Sequence, residues 1–203
     1  MQPNWDERYA NTAFAYGKAP NKFFADQLKL LQPGNILMPA DGEGRNGVYA
    51  ATKGWKVTSA DLSIEGKKKT LELAKSESVD LAYHVGDFKE LSFQKAYFDA
   101  VGLIYAHFPP NDKLAIHQQI DTYLKEGAVV IFEAFSKSHL ALRKKNPKVG
   151  GPANLDMLFS TDEILRDFHN YEILYLKEEV VNLAEGSFHN GESSVIRFVG
   201  RKK

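Results

Sequence analysis

The sequence contains no cysteine, no excess of either charge and no long apolar run. The absence of cysteine excludes a disulfide framework, a thiolate nucleophile and a thiolate-based zinc site. Lys plus Arg and Asp plus Glu number 26 each, so no strong field favours nucleic acid or an anionic membrane surface as a partner. Residues 1–16 lack the apolar core of a signal peptide, and no segment reaches the roughly 18 apolar residues of a membrane span. We therefore expect a cytoplasmic protein that acts on a small molecule.

The order of apolar runs and turns predicts the fold. Strands are predicted at 36–40, 57–60, 82–85, 99–105 and 128–135, and two further β-rich runs lie at 171–183 and 194–199. Segments with helical periodicity alternate with the first five runs, which is typical of parallel strands joined by crossover helices. The last two runs read as an antiparallel hairpin. The prediction is an α/β fold of Rossmann-like, doubly wound type, with a mostly parallel seven-stranded sheet and a C-terminal antiparallel hairpin.

The remaining segments are assigned to one domain, because the 203 residues suffice for a single self-supporting core. Asn21 is predicted to cap a helix that stops at Pro33, and Ser160 with Glu163 forms a capping box for a late helix. Residues 1–20 form an aromatic leader, which we expect to cover the cofactor site. Residues 136–159 are basic and contain Gly and Pro, which indicates a mobile connection or lid.

Polar and glycine residues follow the first four predicted strands, where ligands of an open parallel sheet bind. The first turn, 41–47, has glycines at 42, 44 and 47, which allow close approach of the backbone to a ligand. Asp61 follows the second strand at the spacing of a carboxylate that binds a ribose diol. Asp87 and Phe88 follow the third and offer an acceptor beside a flat face for adenine. Together these turns predict a nucleoside pocket, whose reactive end lies near 105–110.

Other interpretations of these turns stay open. Asp61 can help to cap the helix after Ser63, and Asp87 can simply start a turn. The same spacing also fits an NAD(P)-binding oxidoreductase of Rossmann type. However, a Tyr-x-x-x-Lys pair occurs only as Tyr49 and Lys53 inside a predicted helix, and the sequence has no G-x-x-x-x-G-K-[ST] phosphate loop. The closing hairpin favours a different nucleoside-binding class.

Residues 37–46, 57–63, 86–87 and 195–198 resemble class I S-adenosylmethionine-dependent methyltransferases. The segments 5–9, 16–17, 20–21 and 42–46 are similar to the tellurite-resistance and thiopurine methyltransferase-like group. This resemblance covers nearly the whole chain. It implies S-adenosylmethionine as cofactor, S-adenosylhomocysteine as product, and a small-molecule thiol, oxyanion, hydroxyl or amine as methyl acceptor. A protein that binds a nucleoside without catalysis is the further alternative.

The resemblance and the strand-end positions together give the candidate cofactor site. Its residues are Tyr16, Ala40, Asp41, Gly42, Gly44, Arg45, Asn46, Asp61, Leu62, Ser63, Gly86, Asp87, Phe88 and Tyr105. By resemblance, the first turn lies against the amino-acid part of the cofactor. The family usually has an acidic residue near the end of the first strand, where this chain has Met38. Asp41 is the candidate to replace part of that carboxylate.

The candidate catalytic residue is His107, which follows the fourth strand. It can act as a base for a hydroxyl or amine acceptor, or it can only position a ligand, whereas a thiolate needs no base. Candidate substrate contacts are Trp5, Arg143, His189 and Arg197, although charged residues of this kind also occur on solvated faces. The remaining histidines lack paired ligand spacing, so no metal site is expected. The sequence does not indicate the oligomeric state.

Overall fold

The structure, a computed structural model, describes residues 4–203. The first three residues of the predicted leader lie outside this range. Seven strands form one sheet in the spatial order β3-β2-β1-β4-β5-β7-β6. The strands are β1 (Asn35–Pro39), β2 (Lys56–Asp61), β3 (Ala82–Val85), β4 (Phe98–Ile104), β5 (Leu124–Phe135), β6 (Tyr171–Glu185) and β7 (His189–Lys202).

The sheet is parallel from β3 to β5, and β7 runs antiparallel between β5 and β6. This arrangement confirms the predicted mostly parallel sheet with its closing hairpin. β7 begins at His189, earlier than the predicted start at residue 194. The reason is that pairing with β6 continues as far as the Glu185–His189 pair, so the hairpin extends beyond the body of the sheet.

Helices flank the sheet, and four of the seven α-helices within residues 4–203 begin at a side-chain cap. Ser63 Oγ accepts a hydrogen bond from the Gly66 amide at 3.0 Å, and Ser160 with Glu163 forms the predicted capping box. The helices are α1 (Trp5–Tyr9), α2 (Lys22–Leu28), α3 (Arg45–Thr52), α4 (Ile64–Ser76), α5 (Lys113–Tyr123), α6 (His139–Lys145) and α7 (Thr161–Asp167). No helix within residues 4–203 is long and apolar enough to cross a membrane.

Two helices in the N-terminal part of the chain differ from the sequence expectation. Asn21 caps α2 as predicted, but the helix ends at Leu28 rather than at Pro33. The amides of Leu30 and Leu31 bond to carbonyls three residues back, and Pro33 disfavours helical backbone in the residue before it. The leader also contains α1, which was not predicted, capped by Asn4.

The core lies on both faces of the sheet, because neighbouring residues of a buried strand point in opposite directions. Along β1, Leu37 packs with Phe132 and Phe198 on one face. Ile36 and Met38 point to the other face, in the cluster that contains residues of α2. All of these side chains are almost fully buried. Both faces are thus covered at the centre of the sheet, and the strand ends remain accessible to a ligand.

The segment 136–159 contains regular structure. It comprises α6 and two short 3₁₀ helices, Pro147–Val149 and Leu155–Met157. Val149, Leu158 and Phe159 are completely buried, and Phe159 bridges to Ser136 beside the end of β5. The segment is therefore packed on the sheet at its ends and in its middle.

A buried carboxylate on β5 connects several elements. Glu133 is fully buried and accepts hydrogen bonds from Arg197 Nε at 2.6 Å, Asn21 Nδ2 at 2.7 Å and the Tyr105 hydroxyl at 2.8 Å. Arg197 also pairs with Glu179 on β6 at 2.9 Å. The network joins the start of α2, the end of β4 and the C-terminal hairpin at one point.

This network predicts a large loss of stability for Arg197→Met. Removal of the guanidinium leaves Glu133 buried without its cationic partner, which typically costs about 3 to 5 kcal/mol of unfolding free energy. The matched control is Arg201→Met on the same strand, because its ion pair with Glu172 is about half exposed. That control should cost less than about 1 kcal/mol. Urea denaturation measures both, and equal small losses would contradict the assignment.

Candidate functional site

A cavity of about 690 Å³ lies at the carboxyl ends of β1, β2, β3 and β4. This volume is within the range of about 300 to 1,000 Å³ that small-molecule sites occupy. The predicted residues on its wall are Trp5, Tyr16, Ala40, Asp41, Gly42, Arg45, Asn46, Asp61, Leu62, Gly86, Asp87, Phe88, Tyr105, His107, Arg143 and His189. The sequence positions beyond the strands thus converge on one cavity.

Three predicted residues do not line the cavity. Gly44 packs against α4, where an added Cβ would lie 2.3 Å from Thr70 Cγ2. Ser63 uses its hydroxyl to cap α4 and to bond to Asp6 in α1. Arg197 is held by Glu133 and Glu179 in the hairpin. These three residues therefore stabilise the elements around the cavity and do not face its interior.

The first turn approaches the cavity closely because Gly42 has a positive φ of 56° and no side chain. A Cβ there would lie 2.6 Å from the hydroxyl of Tyr9, which covers the turn. The Gly42 carbonyl accepts from the Tyr83 hydroxyl at 2.6 Å, and its amide donates to Asp61 at 3.0 Å. Only glycine fits this position without a clash.

Asp61 is held between the first and second turns. Its carboxylate accepts from the amides of Gly42 and Ser63, each at 3.0 Å. Burial raises the pKa of Asp61 to about 6, although these backbone hydrogen bonds oppose the rise. Because the Ser63 hydroxyl caps α4, Asp61 is not needed as the cap. Its carboxylate therefore borders the cavity with acceptor capacity that the fold does not fully use.

This chain has Met38 at the position near the end of β1 where the resemblance leads one to expect an acidic residue. The nearest carboxylate along the chain is that of Asp41. Met38 is buried in the core, where it packs against Gly102. Asp41 borders the cavity and accepts from the Ser59 hydroxyl at 2.7 Å and the Gly47 amide at 3.3 Å. Burial raises the pKa of Asp41 to about 7 despite these hydrogen bonds.

The third turn has one apolar wall. Phe88 is 6% exposed and its ring lies near those of Phe93 and Phe108. The neighbouring Asp87 is half exposed, and it accepts from the Lys89 amide at 3.0 Å. The turn thus places a flat hydrophobic surface beside a solvated carboxylate.

His107 and His189 border the part of the cavity that lies away from the first three turns, and both imidazole rings contact Phe135. His107 stacks on Phe135 with ring centroids 5.7 Å apart, and His189 meets the same ring edge-on at 5.1 Å. His107 Nδ1 lies 3.0 Å from the Met157 carbonyl, which can only accept, so Nδ1 carries the hydrogen. Burial lowers the pKa of His107 to about 4, and its Nε2 has no partner among residues 4–203. His107 is therefore a neutral acceptor at neutral pH.

His189 belongs to a second buried ionic group. Its Nδ1 lies 3.2 Å from Glu185 Oε2, and Arg45 Nη2 lies 2.8 Å from the same oxygen. Burial alone would raise the pKa of Glu185, but His189 and Arg45 outweigh it and lower the pKa to about 2. Tyr16 and Tyr105 both lie with ring centroids 4.5 Å from the His189 ring. The hairpin of β6 and β7 thus contacts the first turn through Arg45 and the leader through Tyr16.

The sequence interpretation missed Arg8, Tyr9 and Glu43, which also border the cavity. Glu43 is buried and binds Lys69 and the Ala15 amide at 2.7 and 2.8 Å, which fixes the leader on the first turn. A signal for Arg8 and Tyr9 was present, because Asn4 followed by two acidic residues is typical of a helix start.

The fold and the cavity together define a Rossmann-like α/β protein with a site of nucleoside size at its strand ends. A family model described as a methyltransferase domain matches residues 36–127. The match and the fold confirm the predicted class, an S-adenosylmethionine-dependent methyltransferase, with S-adenosylmethionine as cofactor. No similar sequence was found among the curated proteins.

Solved structures share this fold at low sequence identity. A structure from work on the conversion of a disulfide bond into a thioacetal group during echinomycin biosynthesis is 17% identical, with a TM-score of 0.77 over 98% of this chain and 91% of that one. TehB from Haemophilus influenzae is 19% identical, with a TM-score of 0.72 over 98% and 66%. Magnesium protoporphyrin IX methyltransferase from Synechocystis, with bound S-adenosylhomocysteine, is 13% identical, with a TM-score of 0.67 over 89% and 81%. The narrower subgroup stays a prediction.

The raised pKa values of Asp41 and Asp61 predict that the contribution of these two groups to the unfolding free energy falls as pH rises from about 4 to about 7, whereas the lowered pKa of His107 contributes in the opposite direction. In this interval the folded state keeps protons on Asp41 and Asp61 that the unfolded chain has released, because their ordinary pKa is 3.8. Each group can contribute at most about 1.4 kcal/mol per pH unit. Asp41→Asn should make the slope of the unfolding free energy against pH more positive than in the wild type, whereas Asp26→Asn, at an exposed position of α2, should leave that slope unchanged. Urea denaturation at pH 4, 5.5 and 7.5 measures this, and parallel curves for wild type and Asp41→Asn would contradict it.

Proposed function

We propose that the protein transfers the methyl group of S-adenosylmethionine to a small-molecule nucleophile. The observation that carries this proposal is the convergence of the four strand-end turns on one cavity, within a chain of methyltransferase fold. The rest of the cavity has room for an acceptor beside a nucleoside. Its neutral histidines and aromatic rings suit a small, partly apolar molecule.

The residues present fit the cofactor. Asp61 holds the ribose, since its buried carboxylate has acceptor capacity toward a diol. Gly86, Asp87 and Phe88 hold the adenine, where Phe88 supplies the flat wall. The first turn, with Asp41 and Arg45, faces the amino-acid part. Asp41 provides there the carboxylate that Met38 does not.

Bound S-adenosylmethionine supplies an electrophilic methyl group on a positively charged sulfur. The protein's part is to align the acceptor and to exclude water, because the positive charge disappears in the transition state. The aromatic rings of Tyr16 and Tyr105 border the cavity on the side of His189. Such rings can hold a sulfonium by cation–π attraction while keeping the site dry.

The acceptor lies between the fourth turn and residues of 136–159. His107 accepts a hydrogen bond from a hydroxyl or amine acceptor through Nε2, and takes up its proton as the methyl–acceptor bond forms. Arg143, whose Nε donates to the Gly151 carbonyl at 2.9 Å, and His189 contact the acceptor from the hairpin side. Trp5 covers it from the leader. The cavity's carboxylates, Asp41, Glu43, Asp61 and Asp87, all lie on the first three turns.

The domain organisation follows from the same contacts. We propose that residues 1–203 act as one methyltransferase domain, whose leader, residues 1–20, covers the cofactor. The leader is held by the Glu43 contact to the Ala15 amide, and Asn21, the residue that follows the leader, is fixed by its contact to Glu133. Residues 136–159 act as a lid over the acceptor, because Gly151, Pro152 and Met157 border the cavity. Opening of the part from Gly151 to Met157, between the buried residues Val149 and Leu158, would admit the acceptor.

The test is turnover with S-adenosylmethionine carrying a deuterated methyl group and a panel of thiols, phenols, amines and oxyanions. We expect S-adenosylhomocysteine and a labelled product with at least one class, detected by mass spectrometry. With a hydroxyl or amine acceptor, His107→Gln should lower kcat by roughly a hundredfold. With a thiolate it should leave kcat nearly unchanged, because no proton is removed.

Two results would oppose the proposal. Cofactor binding without product from any acceptor class would favour a non-catalytic nucleoside-binding protein. Selective thermal stabilisation by NADH or NADPH would favour an oxidoreductase. A His107→Gln protein with full kcat on a hydroxyl acceptor would remove the base role alone.

A further inference from the structure

Arg143 borders the cavity without an anionic partner. Its Nε donates to the Gly151 carbonyl at 2.9 Å, and within residues 4–203 no carboxylate forms a salt bridge with it. Arg45, another arginine of the cavity wall, pairs by contrast with Glu185 at 2.8 Å. The Arg143 side chain is partly buried. Such a guanidinium is suited to bind an anionic group of a ligand through its remaining N–H donors.

The carbonyl that orients Arg143 lies against the ring of Phe135. Gly151 has a positive φ of 77°, and an added Cβ would lie 2.8 Å from Phe135 Cδ2. Glycine is required here, because any side chain would clash with the ring. Arg143 is therefore anchored by a residue that itself contacts Phe135.

His107 contacts the same ring and has a free acceptor. Its imidazole stacks on Phe135 with centroids 5.7 Å apart and planes 15° apart. Its Nδ1 is used by the Met157 carbonyl, and its buried Nε2 has no partner among residues 4–203. His139, which also stacks on Phe135, uses both ring nitrogens in hydrogen bonds to backbone groups at 3.2 and 3.3 Å. His107 is thus the imidazole of this pair that can accept a hydrogen bond from a ligand.

The charges of the wall separate this part of the cavity from the rest. Within the described range, 4–203, the carboxylates of the cavity wall lie on the first three turns. The sulfonium and ammonium groups of the cofactor are attracted to that side. The part around Phe135 instead presents a cation, Arg143, and a neutral acceptor, His107. It is therefore suited to a second ligand that carries both an anionic group and a hydrogen-bond donor.

We propose that the methyl acceptor is an aromatic hydroxy acid, whose carboxylate binds Arg143 and whose hydroxyl donates to His107 Nε2; this inference rests on the proposed function. The aromatic ring lies against Phe135 and the apolar surface of Pro152 and Met157. As the hydroxyl oxygen bonds to the methyl carbon, the sulfur keeps the electron pair of the broken C–S bond and the hydroxyl proton passes to Nε2. The carboxylate stays on Arg143, so the product is a methoxy acid.

Equilibrium binding to the protein saturated with S-adenosylhomocysteine tests both contacts. The probes are 3- and 4-hydroxybenzoate, the matching hydroxybenzyl alcohols, which lack the carboxylate, and benzoate, which lacks the hydroxyl. At least one hydroxybenzoate isomer should bind roughly tenfold or more tightly than its alcohol, and roughly threefold or more tightly than benzoate. Arg143→Gln should remove the first preference, and His107→Phe should remove the second.

Two further variants serve as controls. Lys144→Gln removes the adjacent, exposed cation of α6 and should leave every affinity unchanged. Arg143→Lys keeps the charge without the planar donor pair, so it should retain part of the preference for the carboxylate. Thermal melting of each variant verifies that it is folded.

Turnover gives a second readout. With S-adenosylmethionine carrying a deuterated methyl group, the label should appear in a methoxybenzoate, which survives treatment with alkali. A methyl ester, which alkali cleaves, would overturn the assignment of the carboxylate to Arg143.

The outcomes separate this inference from the proposed function. Wild-type protein that binds S-adenosylhomocysteine but neither hydroxybenzoate isomer, or an unchanged preference in Arg143→Gln, would overturn the inference while the cofactor site stands. Weaker S-adenosylhomocysteine binding by Arg143→Gln, with 5′-methylthioadenosine binding unchanged, would also overturn it, because Arg143 would then bind the amino-acid part of the cofactor. If wild type does not bind S-adenosylhomocysteine, the proposed function fails and this inference fails with it.

Discussion

The structure of the site depends on the buried Glu133 carboxylate. It is fully buried on β5, and its partners come from the start of α2, the end of β4 and β7. A carboxylate in this position is tolerated only because Arg197, Asn21 and Tyr105 all donate to it. Those three donors fix the start of α2, the fourth turn and the hairpin relative to one another. The hydrogen bonds of Glu133 therefore position the elements that form the cavity walls.

The electrostatic pattern of the cavity suits a positively charged reactant that loses its charge. Two carboxylates, Asp41 and Asp61, border the first and second turns with pKa values raised by burial. On the acceptor side burial lowers the pKa of His107 and His189, so both imidazoles favour the neutral form. A cation is thus stabilised at one end, while the other end offers neutral acceptors. This arrangement accommodates a sulfonium cofactor beside an uncharged or weakly charged nucleophile.

The sequence predicted the sheet well because buried parallel strands form short apolar runs between turns. Asp61, Asp87 and His107 each follow a strand in the sequence, and all three border the same cavity, as expected for residues at the carboxyl ends of parallel strands. The strand order could not predict that Arg197 would be used by Glu133, since that contact joins residues far apart in the chain.

Sequence reasoning was weakest for the leader and for the end of the hairpin. A helix as short as α1 has little periodicity, so its capping residues were its only signal. The contact of Arg8 with Phe188 depends on the length to which β6 and β7 pair, which the apolar pattern underestimated. Tertiary contacts of this kind are set by the folded geometry and leave no local pattern.

Competitive native mass spectrometry tests the central claim, that this cavity is an S-adenosylmethionine site, most directly. The protein is mixed with equal concentrations of S-adenosylmethionine, S-adenosylhomocysteine, NAD⁺ and NADPH, and the mass of the bound ligand is read from the intact complex. We expect one S-adenosylmethionine or S-adenosylhomocysteine per chain, and loss of that complex in Asp61→Ala. A complex with NAD⁺ or NADPH in their place would contradict it.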